Sequence, residues 1–306
     1  MIKIFDKVIR ERGPELLAES DFPLCYLKFS TVTSGSRLND KVIFLVFKNR
    51  APLPFLCLKT VRNYEAKQAI SRNFSNLKKL NELTTDSPYA PMFAQALHLY
   101  DDGENIFSIE TACPGKRVKL NNENLKIVVA EYIGFQQYAA ERSGNSITDM
   151  AQFAKEIVIH SGLKERDQQE LLQFLKSFSL DGFGLPRVIQ HGDLTEDNIL
   201  LSKDKLCVID YDFVDDIDLP GFDLFGLFRR YNQHEVKALC NKYLPEYFTK
   251  IGADIADIDV NKHDGLLFLY YFTERILKKR RSSEGLSAEL IISDFNKHIA
   301  RTDETA

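Results

Sequence analysis

The sequence predicts an α+β chain in two parts: a small antiparallel sheet with one main helix, then a larger, mainly helical part. Three observations predict it. Apolar segments of strand length recur between about Leu24 and Thr111, separated by polar or Pro-rich turns. From Leu125 onward the apolar spacing changes to that of helices. Between the two regimes stands Thr111-Ala112-Cys113-Pro114-Gly115, where a strand meets a Pro-Gly break. The expected division is therefore residues 1–111 and 112–306.

In chain order, residues 1–20 read as an amphipathic helix ending in a polar turn. CYLKFSTV, KVIFLVF and PFLCLKTV follow as strands, and Ile70, Phe74, Leu77 and Leu80 mark one side of a helix. Strands around 95–100 and 106–111 complete an antiparallel sheet of five. In the second half Leu125, Val128, Val129, Tyr132, Phe135 and Ala139 give a strong helix. Met150, Phe153 and Ile157, then Leu171, Leu172 and Leu175, give two more. Residues 223–232, 235–244, 264–279 and 288–299 are also helical by spacing.

Composition excludes several classes. Of 306 residues, 44% are hydrophobic and 27% charged, ordinary for a soluble globular protein. Forty basic against forty-four acidic residues leave a net charge of −4, so no electrostatic footprint for nucleic acid is present. The run Lys278-Lys279-Arg280-Arg281 closes a helix, where cations suit the negative dipole end. The longest apolar runs, residues 42–47 and 266–272, are too short to cross a membrane. The start, MIKIFDKVIRERGPELL, lacks the apolar core of a signal peptide. Five scattered cysteines with no C-x-x-C read as free thiols, so a cytoplasmic location is expected.

The chemistry is concentrated in VIQHGDLTEDNILL, residues 188–201, and CVIDYDF, residues 207–213. A carboxylate, Asp193, stands five residues ahead of a carboxamide, Asn198, and a second carboxylate, Asp210, ends an apolar run. Phosphoryl transfer from a nucleotide needs this set: one acid to orient a hydroxyl, and an amide plus another acid to hold magnesium on the phosphates. Residues 188–190, 199–201 and 206–209 read as short buried strands, the last two joined by Lys203-Asp204-Lys205 into a hairpin.

HGDLTEDNIL followed by VIDYDF resembles the aminoglycoside phosphotransferase and choline kinase family, small-molecule kinases with a two-lobed protein-kinase-like fold. The family pattern H-G-D-x-x-x-x-N and I-D-[WFY]-[DE] is matched by 191–198 and by Ile209-Asp210-Tyr211-Asp212. The resemblance implies that Asp193 is the catalytic acid/base and that Asn198 and Asp210 are Mg2+ ligands. Serine/threonine protein kinases usually carry Lys two residues after the catalytic Asp; here Thr195 stands there, which favours the small-molecule branch.

Further residues follow from this expectation. Lys59, one cation in the apolar FLCLKTV, is costly to bury unless an anion meets it. The resemblance has it pairing the ATP phosphates; an edge-strand lysine reaching water is the structural alternative. Its usual glutamate partner is displaced: the matching helical turn carries Asn73 and Ser75, with Glu65 before the helix and Glu82 near its end. Either of those glutamates substitutes, or the lysine is held otherwise. The Ser34-Gly35-Ser36 turn could offer N–H groups and hydroxyls to phosphates, or be an ordinary hairpin. Glu110 and Ala112, in a run resembling the hinge strand, are the implied backbone partners of adenine. His191 reads as a brace for the loop, and Asp223 as a helix cap tied to it.

On the acceptor side, Asp212, Asp215, Asp216 and Asp218 could attract a cationic small molecule or form a solvated acidic loop. Tyr270, Tyr271, Phe272 and Glu274 could wall its pocket or belong to the core. The chain has no Trp, which disfavours a choline-type aromatic cage. The functional expectation is an ATP- and Mg2+-dependent phosphotransferase acting on a small-molecule hydroxyl. Two others stay open: a nucleotide-binding pseudokinase scaffold, and a protein kinase.

Overall fold

The computed structural model describes residues 2–17, 27–33, 41–48, 51–144, 146–203, 205–231, 235–279 and 286–300. The chain divides into two compact units, one of Met1–Arg117 with Ile199–Asp212, the other of Val118–Asn198 with Phe213–Ala306. The boundary expected at 111/112 thus falls six residues later, and the 199–212 hairpin joins the first unit. Pairing of strands explains the difference. The two-residue β6 (Lys116–Arg117) pairs with β9 (Ile199–Ser202), which pairs with β10 (Lys205–Val208). Gly115 permits that approach: its φ is +121°, and a Cβ there would lie 2.8 Å from the Leu201 carbonyl oxygen.

The first unit begins with α1 (Ile2–Leu17), then β1 (Leu27–Thr33), β2 (Lys41–Lys48) and β3 (Leu56–Val61). Helix α2 (Lys67–Thr84), β4 (Ala96–Asp101) and β5 (Ile106–Thr111) follow. The strands form the expected five-stranded antiparallel sheet, in the order β1-β2-β3-β5-β4. Alternation assigns its two faces. Val46, Leu56, Leu58, Phe107 and Ile109 pack with Phe5, Val8 and Ile9 of α1. The opposite parity carries Val61 and Ile106, which pack against Ile70 of α2. Lys59, Ser108 and Glu110 share that second face. So does Lys41, because it stands directly across from Val61.

The second unit is mainly helical: α3 (Asn122–Arg142), α4 (Met150–Ile159), α5 (Glu165–Lys176), α6 (Phe222–Tyr231), α7 (Val236–Lys250), α8 (Val260–Lys279) and α9 (Ala288–Phe295). A short ladder of β7 (Ile147–Asp149) with β8 (Gly184–Pro186) accompanies them. Helix α3 is started by Asn121, whose side chain accepts from the amides of Glu123 and Asn124. The core is aromatic: Phe268 lies against Phe174, Phe178, Phe272 and Phe295. Among the described residues no helix is long and apolar enough to cross a membrane.

Residues 188–190, expected as a strand, form none. Side chains and a loop take their peptide groups instead. The Ile189 carbonyl accepts from Gln136 Nε2 at 2.7 Å, and the Gln190 carbonyl accepts from the Asp215 amide at 2.9 Å. The expected strands of the hairpin do form, as β9 and β10.

Candidate active site

In the first unit, β10 delivers Asp210, and the backbone there turns left-handed, with φ 67°. A non-glycine residue holds that conformation only where its surroundings fix it. Here they do. The Tyr211 hydroxyl donates to the Val208 carbonyl at 2.7 Å and accepts from the Ala94 amide at 3.2 Å. The Tyr211 carbonyl accepts from Asn76 Nδ2 of α2 at 2.8 Å. Clamped between β10 and α2, the segment presents Asp210 and Asp212 as neighbours. Lys41 Nζ lies 2.5 Å from Asp210 Oδ1 and 2.7 Å from Asp212 Oδ2. Asn73 Nδ2 donates to Asp212 Oδ1 at 2.8 Å.

Lys59 is buried on the same face, but with other partners. Its Nζ lies 2.8 Å from Glu110 Oε1 and donates to Asn73 Oδ1 at 3.1 Å. It also sits 5.1 Å from the centre of the Tyr211 ring. Burial works against its charge, yet the combined fields of Glu110, Cys57 and Asp210 carry its pKa above the ordinary lysine value. The displaced glutamate is thereby resolved. Glu65 lies in an exposed turn, and Glu82 pairs with exposed Lys78, so neither meets Lys59. The lysine is held by an acid of β5, two strand positions from the residue opposite it.

The adenine expectation is altered at two places. The Ala112 amide donates to the Phe55 carbonyl at 3.0 Å, so this N–H is committed within the fold. Glu110 contributes a side chain, in the Lys59 pair, besides its place in the sheet. Ser34, Gly35 and Ser36 lie outside the described residues.

The second unit holds the Asp193 loop. Both oxygens of the buried Asp223 carboxylate face it: Oδ2 accepts from the His191 amide at 2.6 Å and Oδ1 from the Gly192 amide at 2.8 Å. The Tyr132 hydroxyl donates to Oδ2 as well. Burial raises the Asp223 pKa, while His191 and these donors pull it back. Gly192 turns the loop at φ +81°, where a Cβ would stand 2.5 Å from the Phe213 carbonyl oxygen. Beyond it, Asn198 Nδ2 donates to the Asp193 carbonyl at 2.9 Å. That bond ties the expected acid and amide into one loop and leaves the amide oxygen as the acceptor of Asn198. Under the loop, Gln190 Nε2 donates to Gln136 Oε1 at 2.8 Å, while its Oε1 accepts from the Asp223 amide at 3.3 Å.

A concavity of this unit is lined by Asp193, Thr195, Asp223, Arg230 and Glu274. Of the expected acceptor wall, only Glu274 borders it; Tyr270, Tyr271 and Phe272 are core. Glu274 pairs with Arg229. The acidic stretch after Asp210 is also largely matched: Asp212 by Lys41, and Asp215 and Asp218 by Arg187 at 3.5 and 3.2 Å.

Sequence reasoning named Asp193, Asn198 and Asp210 but missed Lys41, Asn76 and the side-chain roles of Asn73 and Glu110. Lys41 carried a faint signal, since it opens a continuous apolar run, but only strand register puts it on the Lys59 face. Among the described residues no three His, Cys, Asp or Glu side chains gather as a ready metal site. Asp210 and Asp212 nevertheless suit magnesium, a hard cation that takes one or two carboxylates plus substrate phosphates. Their contact with a single ammonium shows that the pair accepts positive charge.

Sheet order and helical content define a protein-kinase-like fold. Residues 133–253 match the model of the phosphotransferase enzyme family, a span containing the whole H-G-D-x-x-x-x-N and I-D-Y-D pattern. Among solved structures the chain is similar to a thermostable mutant of aminoglycoside phosphotransferase APH(4)-Ia, with TM-score 0.56, 10% identity, and coverage of 95% of this chain and 99% of that one. It is also similar to choline kinase from Cryptosporidium parvum Iowa II, with TM-score 0.52, 15% identity, and coverage of 98% and 95%. A third is aminoglycoside phosphotransferase APH(3'')-Id from Streptomyces rimosus in complex with ADP and streptomycin, with TM-score 0.50, 15% identity, and coverage of 88% and 98%. At these identities the likeness establishes the fold. No curated protein matches the sequence significantly.

Proposed function

We propose that the protein is a small-molecule kinase, passing the γ-phosphoryl group of ATP to an acceptor hydroxyl with magnesium. The observation that carries this reading is Asp210: a strained, left-handed residue at the end of a strand, clamped by Tyr211 and Asn76 and paired with Asp212 around a cation. The family match over 133–253 and the ADP bound in a neighbour of the same fold support it.

Asp193 orients the acceptor hydroxyl and takes its proton as the oxygen attacks the γ-phosphorus in line. The resemblance assigns magnesium to the Asn198 amide oxygen and the Asp210 carboxylate, and the metal would supply positive charge to the nucleotide phosphates. Asp223 keeps the loop in register through the His191 and Gly192 amides. A basic side chain of the sheet meets the nucleotide phosphates. Because the acidic stretch is matched by Arg187 and Lys41, the acceptor need not be strongly cationic. A hydroxylated sugar, amino sugar or amino alcohol fits equally.

Asp193→Ala and Asp210→Ala are each expected to lower turnover at least about a hundredfold, measured as magnesium-dependent ATP consumption with a panel of such acceptors. Wild-type turnover in either variant would refute the assignment. The unusual pairing of Lys59 with Glu110 favours a second reading, a nucleotide-binding scaffold without transfer. Saturable ATP binding with no consumption against any acceptor would decide for it.

A further inference from the structure

The sheet face behind Asp210 carries two lysines with unlike surroundings. Lys59 is sealed. Its side chain is 5% exposed and lies against Glu110 Oε1, Asn73 Oδ1 and the Tyr211 ring. The Glu110 side chain is 4% exposed, and its second oxygen, Oε2, has no hydrogen-bond partner among the described residues. Withdrawing Lys59 toward a ligand would leave that carboxylate buried without its counter-charge, a heavy penalty in a dry interior. Lys59 is therefore committed to the fold.

Lys41 is different. Two of its partners are the expected metal acid and the acid beside it, with side chains 41% and 20% exposed. These carboxylates can exchange an ammonium for another cation without stranding a buried charge. Register puts Lys41 two residues from Ile43, the residue opposite Lys59, and on the same face.

We propose that Lys41 of β2, and not Lys59 of β3, is the cation that meets the nucleotide phosphates. This rests on the small-molecule kinase reading above. In the free protein Lys41 holds Asp210 and Asp212 together. When those carboxylates serve the metal, the Lys41 ammonium passes to the phosphate oxygens that arrive with it. One side chain thus keeps the acid pair from repelling itself before binding and neutralises phosphate charge afterwards. Lys59 and Glu110 form a neutral strut between β3 and β5.

The two lysines make opposite predictions for binding, so titration calorimetry on the full chain separates them. Lys41→Met and Lys41→Gln are expected to weaken ATP binding in magnesium about tenfold or more, with adenosine affinity unchanged. The same variants should bind Mn2+ alone more tightly than wild type, because the acid pair has lost its resident cation. Lys59→Met combined with Glu110→Gln should shift ATP affinity by less than about threefold, with circular dichroism confirming folding. ATP affinity retained in both Lys41 variants overturns the proposal. So does a tenfold loss in the Lys59/Glu110 double variant. Wild-type protein that shows no saturable ATP binding in magnesium overturns the kinase reading itself, and this proposal with it.

Discussion

Glu110 and Lys59 form a buried ion pair whose first consequence is for stability. Removing one member leaves a charge in a site with no water to receive it. Glu110→Ala is therefore expected to cost about 3–5 kcal/mol in urea unfolding, while Lys59→Met with Glu110→Gln costs much less. A single-variant loss below about 1 kcal/mol would mean that the pair is not desolvated. The sign with pH follows from Lys59, whose pKa is raised in the fold. Its contribution is full below the unfolded lysine value of roughly 10.4 and is lost as pH rises through the folded value. Asp223 is the acidic counterpart. Burial lifts its pKa, so its contribution is full below the unfolded value of roughly 3.9 and falls as pH climbs through the folded one. The stability difference between wild type and Asp223→Asn should shrink from pH 4 upward; a growing difference would reverse the assignment.

At the scale of elements, the loop between Gln190 and Asn198 is shaped by what surrounds it more than by its own sequence. Its amides are taken by Asp223 at the start of α6, and its sharp turn is allowed by Gly192. Gly192→Ala combines a left-handed φ with a Cβ 2.5 Å from a backbone oxygen that cannot swing away. We expect a loss of about 2 kcal/mol or more in stability and a fall in turnover exceeding tenfold, read from thermal melts and steady-state assays together. A variant that melts and turns over like wild type would show that the turn relaxes freely. The hairpin of β9 and β10 teaches a related lesson. Chain order suggested that it belonged with the helices. The two-residue β6 and the Asn76–Tyr211 bond bind it to the sheet unit instead.

Across the whole molecule, the helical unit relies on an aromatic cluster remote from the chemistry. Phe268 is fully buried and meets Phe174, Phe178, Phe272 and Phe295 at centroid distances of 4.9–6.1 Å. Phe268→Ala should cost about 3–5 kcal/mol, measured by urea unfolding, without changing KM for the acceptor in protein that remains folded. An altered KM would place the cluster in the acceptor pocket after all.

The α+β order, the five strands and most helices were legible because alternation and helical spacing are local properties of the chain. Asp193, Asn198 and Asp210 stand out in the sequence as candidates because their spacing and residue types are rare in combination. The partner of Lys59 was not legible, because Glu110 is fifty-one positions away and meets it only through the β3–β5 register. Nor was the pairing of Lys41 with Asp210, which lies 169 residues later. Pattern along the chain determined which groups are present. Strand register and burial, which depend on distant segments, decided which charge each group faces.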